Sequence, residues 1–274
     1  MRAMDARDTR QWDSVIELKD ATKRFRRLKH GGLLRREYED IYALSHVNLR
    51  VDQGEFVAYA GPNGAGKSTT FKLLCGMLAP NEGTSRLFGM DPIKRRIPVM
   101  RRTGVLFGNR SELWWDQPVR ASFDWKRVVW EIPKADYDAR MEKLTAGFRL
   151  GDFMDAFARE LSLGQRMRAN LALTLLHGPE LVLLDEPTLG LDVLAKRELI
   201  ENLKRINRED GVTLLVTSHD MDDLRDMARR LVLLHEGVIR YDGDFDGLLR
   251  QHDRTDFESI IAQMYRDWQP VSPD

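Results

Sequence analysis

Residues 61–68 read Gly-Pro-Asn-Gly-Ala-Gly-Lys-Ser, and the flanks of this octet constrain the fold as much as the octet does. Before it stands a short apolar run, Phe56–Ala60. After Lys67, the residues Phe71, Leu74, Cys75 and Leu78 recur at the spacing of one helix face. A strand running through a glycine-rich turn straight into a helix points to an alternating α/β chain. Further apolar runs at 104–107, 181–184, 212–216 and 231–234 are continuous rather than alternating, as in strands covered on both faces. Helical patterns lie between them, which predicts an α/β core with a mostly parallel sheet. Ala79-Pro80-Asn81-Glu82-Gly83 is a turn cluster that ends the first helix. The stretch 231–241, centred on His235-Glu236-Gly237, predicts a hairpin. From about 109 to 170 strand character fades, and Trp114, Trp115, Phe123, Trp125 and Trp130 accumulate, which predicts a helical insertion.

The octet fits the pattern G-x-x-x-x-G-K-[ST] in the strand-to-helix context that makes it a phosphate-binding loop. Its glycines let backbone N–H groups close around phosphate oxygens, and the helix N-terminus adds positive partial charge. Lys67 is the expected neutraliser of β- and γ-phosphates, and Ser68 the expected ligand of Mg²⁺. The run at 181–184 ends in Asp185 and Glu186, where an open α/β sheet places its ligands. Asp185 is expected to hold Mg²⁺, and Glu186 to orient or deprotonate a water. Val216-Thr217-Ser218-His219-Asp220 ends another apolar run; in the same sheet, His219 reaches the γ-phosphate region. Leu161-Ser162-Leu163-Gly164-Gln165 opens an apolar helix, with Ser162 as its N-cap and a candidate anion contact.

Composition narrows the classes. The 274 residues carry 43 Lys+Arg and 43 Asp+Glu, so the formal charge is zero and gives no global footprint for nucleic acid. There is no uncharged apolar run of the roughly 18 residues a membrane-spanning helix needs, and the opening MRAMDARDTR lacks the apolar stretch of a secretory signal. If the protein acts at a membrane, another chain carries it there. The single Cys75 reads as a small core residue of a reducing compartment. One basic stretch (Lys23, Arg24, Arg26, Arg27, Lys29, His30, Arg35, Arg36) is either a solvated hairpin or loop, or a contact for anionic headgroups.

Taken together, these segments resemble the ATP-binding cassette (ABC) ATPases over nearly the whole chain. GPNGAGKS resembles the Walker A loop, LVLLDEP the Walker B strand with its catalytic Glu, and LSLGQ the family signature. Leu189-Gly190-Leu191-Asp192 resembles the D-loop, and TSHD the switch-histidine segment. The resemblance implies a RecA-like core with an antiparallel β-subdomain and a helical subdomain. It divides the chain into a polar tail 1–14, an ATPase domain 15–240 with the helical subdomain at about 109–170, and a helical extension 241–274. It implies ATP and Mg²⁺ as cofactors. Glu186 and His219 are then catalytic, and Ser68, Asp185 and Asn109 serve the metal. Asn63, Gly64, Ala65, Gly66, Lys67, Ser68 and Thr69 contact ATP in one chain; Ser162, Gly164 and Gln165 contact the ATP held by the other. One cassette per chain implies a homodimer or a second cassette subunit.

Three positions depart from the family pattern or leave it open. Leu163 stands where the signature usually has Gly. Asn109 replaces the usual Gln, one methylene longer, so its contact with metal and water is either bridged or lost. The adenine-stacking aromatic is Phe25, at the end of Lys23-Arg24-Phe25, or else Tyr42. The segment around Leu113-Trp114-Trp115-Asp116 and the LSLGQRMR form resemble bacterial drug- or viologen-efflux ATPases whose permeases are separate chains. This implies export, work at the cytoplasmic face of the cell membrane, and no nucleic-acid partner. The rival is a soluble ABC ATPase acting on nucleic acid or the ribosome; the coiled-coil, zinc-binding or second-cassette segments of such proteins are not seen. The tryptophans of 109–130 either form the core of the helical subdomain or receive the permease.

Overall fold

The computed structural model describes residues 14–29, 37–108, 110–252 and 257–268. Asn109, His30, Arg35, Arg36 and residues 1–13 lie outside the described residues, as do 253–256 and 269–274 of the expected C-terminal extension. In chain order the elements are β1 (Ile16–Lys29), β2 (Glu37–Val51), β3 (Phe56–Ala60), α1 (Lys67–Leu74), β4 (Glu82–Leu87), α2 (Arg96–Met100), β5 (Thr103–Phe107), α3 (Val119–Val129) and α4 (Lys134–Phe148). There follow α5 (Leu163–Leu175), β6 (Leu181–Asp185), α6 (Val193–Asp210), β7 (Thr213–Thr217), α7 (Met221–Met227), β8 (Arg230–His235), β9 (Val238–Asp244), α8 (Phe245–His252) and α9 (Phe257–Asp267).

The five apolar runs are five neighbouring parallel strands. The main sheet has the order β5-β6-β7-β3-β8-β9, and only β9 runs antiparallel. Alternate residues leave each strand on opposite faces. Val57, Tyr59, Leu183, Leu215 and Leu234 enter one core, shared with α1 and with Ile16, Leu18, Leu44 and Val47 of the second sheet. Ala58, Leu184, Val216 and Leu233 enter the other, shared with α5, α6, Phe123, Phe148 and the C-terminal Ile260, Ile261 and Met264. Burial on both faces is why these runs show no alternation. Leu234 and Leu233 thus point into different cores.

Local chemistry sets the element ends. Ser162 caps α5 with a full capping box: its Oγ accepts the Gln165 N–H (3.2 Å), and its own N–H donates to Gln165 Oε1 (2.9 Å). Asp192 caps α6 by accepting the Ala195 N–H at 2.9 Å. Glu236 and Gly237 both have positive φ (47° and 76°), the backbone of a tight two-residue hairpin between β8 and β9.

The second sheet is antiparallel, in the order β2-β1-β4. Pairing with β4 stops at Thr22, so residues beyond it on β1 continue as a two-stranded ribbon with β2. The described part of the basic stretch, Lys23 to Lys29, lies on this ribbon, opposite an acidic strand: Arg26 faces Asp40 and Arg27 faces Glu39, while Arg24 reaches Asp40 at 3.5 Å. Arg24 is thus paired with a carboxylate of the same ribbon.

Candidate nucleotide site

The carboxyl ends of β3, β6 and β7 are adjacent and carry the loop and the acidic pair. β3 ends at Ala60, and the loop closes on Gly66, which precedes α1 with φ 113°. A Cβ on Gly66 would sit 2.4 Å from the Ala43 carbonyl oxygen and 2.8 Å from Leu44, so no other residue fits against the second sheet here. Lys67 is buried, and its Nζ donates to the carbonyls of Gly61 (2.6 Å) and Pro62 (3.2 Å), folding over the loop. Burial lowers the pKa of its ammonium, with the charges of Glu186 and Asp185 pulling it back up. Asn63, Gly64 and Ser68 are exposed, Thr69 is partly buried and Ala65 is buried. Behind the loop, the Thr70 hydroxyl donates to the Gly66 carbonyl (3.2 Å) and lies 3.0 Å from the Tyr59 hydroxyl.

Strand register assembles the acidic centre. Asp185 is paired with Thr217 across β6 and β7. Thr217 Oγ1 donates to Asp185 Oδ1 (2.7 Å) and accepts the Glu186 N–H (3.0 Å). Glu186 leaves the strand with φ 56°, and its Oε2 accepts the His219 N–H at 3.1 Å. His219 Nε2 lies 3.2 Å from Glu186 Oε1. Burial pushes the Glu186 carboxyl above the usual carboxylate range, while the His219 and Lys67 charges draw it down. A proton acceptor held by a backbone amide beside a cationic loop is suited to orienting a water at a phosphate. Gly108, just before position 109, donates its N–H to the Asp185 carbonyl at 2.8 Å.

No group of three or more acidic, His or Cys side chains capable of holding a metal occurs among the described residues. Asp185 with the exposed Ser68 fits the sparse donor set of Mg²⁺, which takes one or two protein ligands and completes its shell with phosphate and water. An all-protein cage would not fit.

Ser162, Gly164 and Gln165 make no hydrogen bond to this cluster among the described residues. They line a separate cavity of about 390 Å³ with Leu163, Asp192 and Glu198. Leu163 is 40% exposed and lies against Gly190 of the D-loop-like segment, 3.0 Å from where a Cβ there would stand.

At the ribbon, a register break places Lys23 opposite Leu44 but Arg24 opposite Tyr42. Phe25, two residues on from Lys23, shares the face of Lys23 and Leu44, the side that meets Gly66; Tyr42 is on the other. Lys23 Nζ lies 5.4 Å from the Phe25 ring centroid, and the ring is 42% exposed.

The tryptophans divide. Trp130 packs against the core and stacks on His177 (4.3 Å), whose pKa burial lowers to about 3. Trp114, Trp115 and Trp125 are exposed; Trp114 and Trp125 are paired at 5.4 Å, and Arg166 lies 4.7 Å from the Trp115 ring. Sequence reasoning missed Thr217 as a site residue: it lies in the quoted Val-Thr-Ser-His-Asp segment, but its role depends on pairing with β6. Tyr59 and Thr70 were missed for the same kind of reason.

A glycine-rich loop between strand and helix, with a partly buried acidic pair beside it at the carboxyl edge of a parallel sheet, defines a nucleoside triphosphatase. Known proteins narrow this. The family model described as ABC transporter matches residues 44–189, and an AAA-domain model matches 156–223. NatA of Bacillus subtilis, an ABC transporter ATP-binding protein, is 29% identical over 250 residues, covering 90% of this chain and 96% of NatA. The "Probable multidrug ABC transporter ATP-binding protein YbhF" of Escherichia coli is 31% identical over 93% of this chain, which spans 42% of YbhF. A dimeric cassette, MJ0796, solved in a post-hydrolysis state with ADP and Pi, superposes with a TM-score of 0.70 at 26% identity, over 84% of this chain and 98% of that one. The chain belongs to the ABC transporter family, as an ATP-binding subunit with ATPase activity. No helix among the described residues is long and apolar enough to cross a membrane.

Proposed function

We propose that two such cassettes, either two copies of this chain or one copy with a second cassette subunit, close over two ATP molecules and that hydrolysis drives transport through separate permease chains. The observation that carries this reading is the Glu186 centre: a partly buried carboxylate fixed by the His219 amide, one residue from Asp185 and beside the charge of Lys67. Glu186 orients and deprotonates the attacking water, and His219 steadies Glu186 and contacts the γ-phosphate. The amides of Asn63, Gly64, Ala65, Gly66 and Thr69, with Lys67 and Ser68, hold the phosphates, and Phe25 stacks on adenine. Ser68 and Asp185, with Asn109, serve Mg²⁺, which when bound neutralises charge developing on the phosphates. Ser162, Gly164 and Gln165 complete the partner's site. Their separate cavity supports this assignment.

The permease docks on Trp114, Trp115 and Trp125, whose exposure suits a surface that becomes buried on assembly. Such docking holds the chain at the cytoplasmic face of the membrane. The transport direction proposed is export; likeness to YbhF, a probable multidrug ABC transporter ATP-binding protein, supports the transport role. The deciding experiment is Glu186→Gln: ATP binding persists, while turnover falls at least about a hundredfold, as for loss of a general base, and an ATP-bound dimer accumulates. Near-normal turnover in the purified variant overturns the assignment.

A further inference from the structure

The C-terminal helix α9 ends in an aromatic cluster that closes on one residue of the main sheet. The His235 ring stacks on Tyr265 (centroids 5.5 Å apart, planes 15° apart) and lies 5.4 Å from Trp268; Tyr265 and Trp268 meet edge to face at 5.5 Å. His235 Nδ1 and the Tyr265 hydroxyl are both buried without a hydrogen-bond partner among the described residues. Ring packing, not polar bonding, therefore fixes His235. The helix itself is anchored by Ile260, Ile261 and Met264 in the core.

His235 is the last residue of β8 and opens the turn to β9, and this turn touches the phosphate loop at both ends. The Gly237 N–H donates to the Ala65 carbonyl (2.9 Å), and the Gly237 carbonyl accepts the Ser45 N–H (2.8 Å). A Cβ on Gly61 would stand 2.2 Å from the Leu234 carbonyl oxygen, and one on Gly66 3.2 Å from Leu234 Cδ2. One residue earlier, Leu233 pairs with Ala60, where β3 enters the loop. Residues 234–237 therefore brace the start and the end of the loop at close approach. Close-packed interiors transmit displacements, and phosphate-binding amides lose effect when displaced by a fraction of an ångström.

We infer that α9 positions the phosphate loop through His235, with Tyr265 and Trp268 as positioning residues for ATP binding. The inference rests on the reading of residues 61–68 as the ATP phosphate site and adds a remote control of its geometry. None of the three rings takes part in the chemistry, so the effect falls on binding rather than on the hydrolytic step.

The test uses the full chain with Trp268→Ala, His235→Ala, Trp268→Phe and Tyr265→Phe. The alanine variants raise the KM for ATP by about three- to tenfold with kcat within about twofold, and weaken ATP binding measured by calorimetry by the same factor. Both phenylalanine variants keep the wild-type KM, because each retains a ring and the Tyr265 hydroxyl has no partner to lose. Amide hydrogen exchange reads the brace without activity: Gly237 loses protection in the alanine variants while Val232, in the middle of β8, keeps its own. Folded alanine variants with unchanged KM and unchanged Gly237 exchange overturn the inference, and so does an equal loss in the phenylalanine variants. If Trp268→Ala does not fold, His235→Ala decides by the same criteria. A wild-type chain that binds no ATP defeats the site reading instead, and the exchange measurement still decides the coupling.

Discussion

The hydroxyl of Thr217 is shared between the two carboxylate residues at the end of β6: it donates to Asp185 Oδ1 at 2.7 Å and accepts the Glu186 N–H at 3.0 Å. One side chain on β7 thus orients the proposed metal-facing carboxylate and holds the turn from which the proposed base projects. Thr217→Val keeps the shape and the β propensity but removes both bonds. It should lower kcat/KM for ATP by about tenfold, the effect of one or two lost hydrogen bonds at 1.4 kcal/mol per decade. Thr217→Ser should recover most of it. Steady-state ATPase assays of the two variants make the comparison, and a fully active Thr217→Val chain removes Thr217 from the site.

The pH profile should report Glu186. Burial raises its pKa, and the charge and backbone bond of His219 lower it. A base works only when ionised, so the acid limb of kcat should lie above the ordinary carboxylate range. Removing the His219 charge in His219→Ala should move that limb to higher pH, not lower. For stability the sign is opposite to that of a salt-bridged acid. The raised folded pKa makes ionised Glu186 a cost that is absent below its unfolded pKa and develops in full as pH rises through the folded value. Glu186→Gln should therefore gain stability relative to wild type at neutral pH but not under acid conditions. Thermal unfolding at the two pH values checks this.

The composite site should reveal itself by complementation. Lys67→Ala cripples the loop of its own chain, and Ser162→Arg blocks the cavity proposed to receive the partner's ATP. A mixture contains heterodimers with one intact and one doubly broken site, so ATPase activity should return in the mixture if a single site suffices. Normal activity in either mutant homodimer contradicts a shared site. Ser162 is also the cap of α5, so Ser162→Ala should cost about 1 kcal/mol of stability regardless of nucleotide.

The exposed tryptophans should separate from Trp130, which packs against the core. Trp114→Ala and Trp125→Ala should leave the melting temperature of the isolated subunit within a few degrees and its basal ATPase unchanged, while permease co-purification falls. Trp130→Ala, which empties a stacked and packed position, should cost about 3 kcal/mol. A Trp114 or Trp125 variant that melts far below wild type returns these residues to the core.

Cys75 offers a check on the fold. It is buried, and its thiol pKa is pushed up to about 12 by that burial. Thiol reagents at neutral pH should modify it only on unfolding, so rapid labelling of the native chain contradicts the packing of α1.

What the sequence determined by itself was local. The octet at 61–68 with its flanking run and helix spacing, the carboxylates Asp185 and Glu186 after an apolar run, the Ser162 cap and the His235-Glu236-Gly237 turn all rest on interactions within a few residues. Backbone dihedrals and side-chain periodicity encode such interactions directly. Tertiary structure decided what depends on register between distant segments. Thr217 joins Asp185 only because β7 lies beside β6 in that alignment. Phe25 shares the face of Lys23 and Leu44, and Tyr42 does not, because β1 and β2 slip by one residue between Lys23 and Arg24. Trp130 is partly buried against the core while Trp114, Trp115 and Trp125 are exposed, a difference that helix packing alone imposes on otherwise similar residues. His235 meets Tyr265 and Trp268 across a sequence gap that no periodicity spans. A one-residue change of register exchanges the faces of every side chain on a strand, so such contacts become fixed only when the sheets pack.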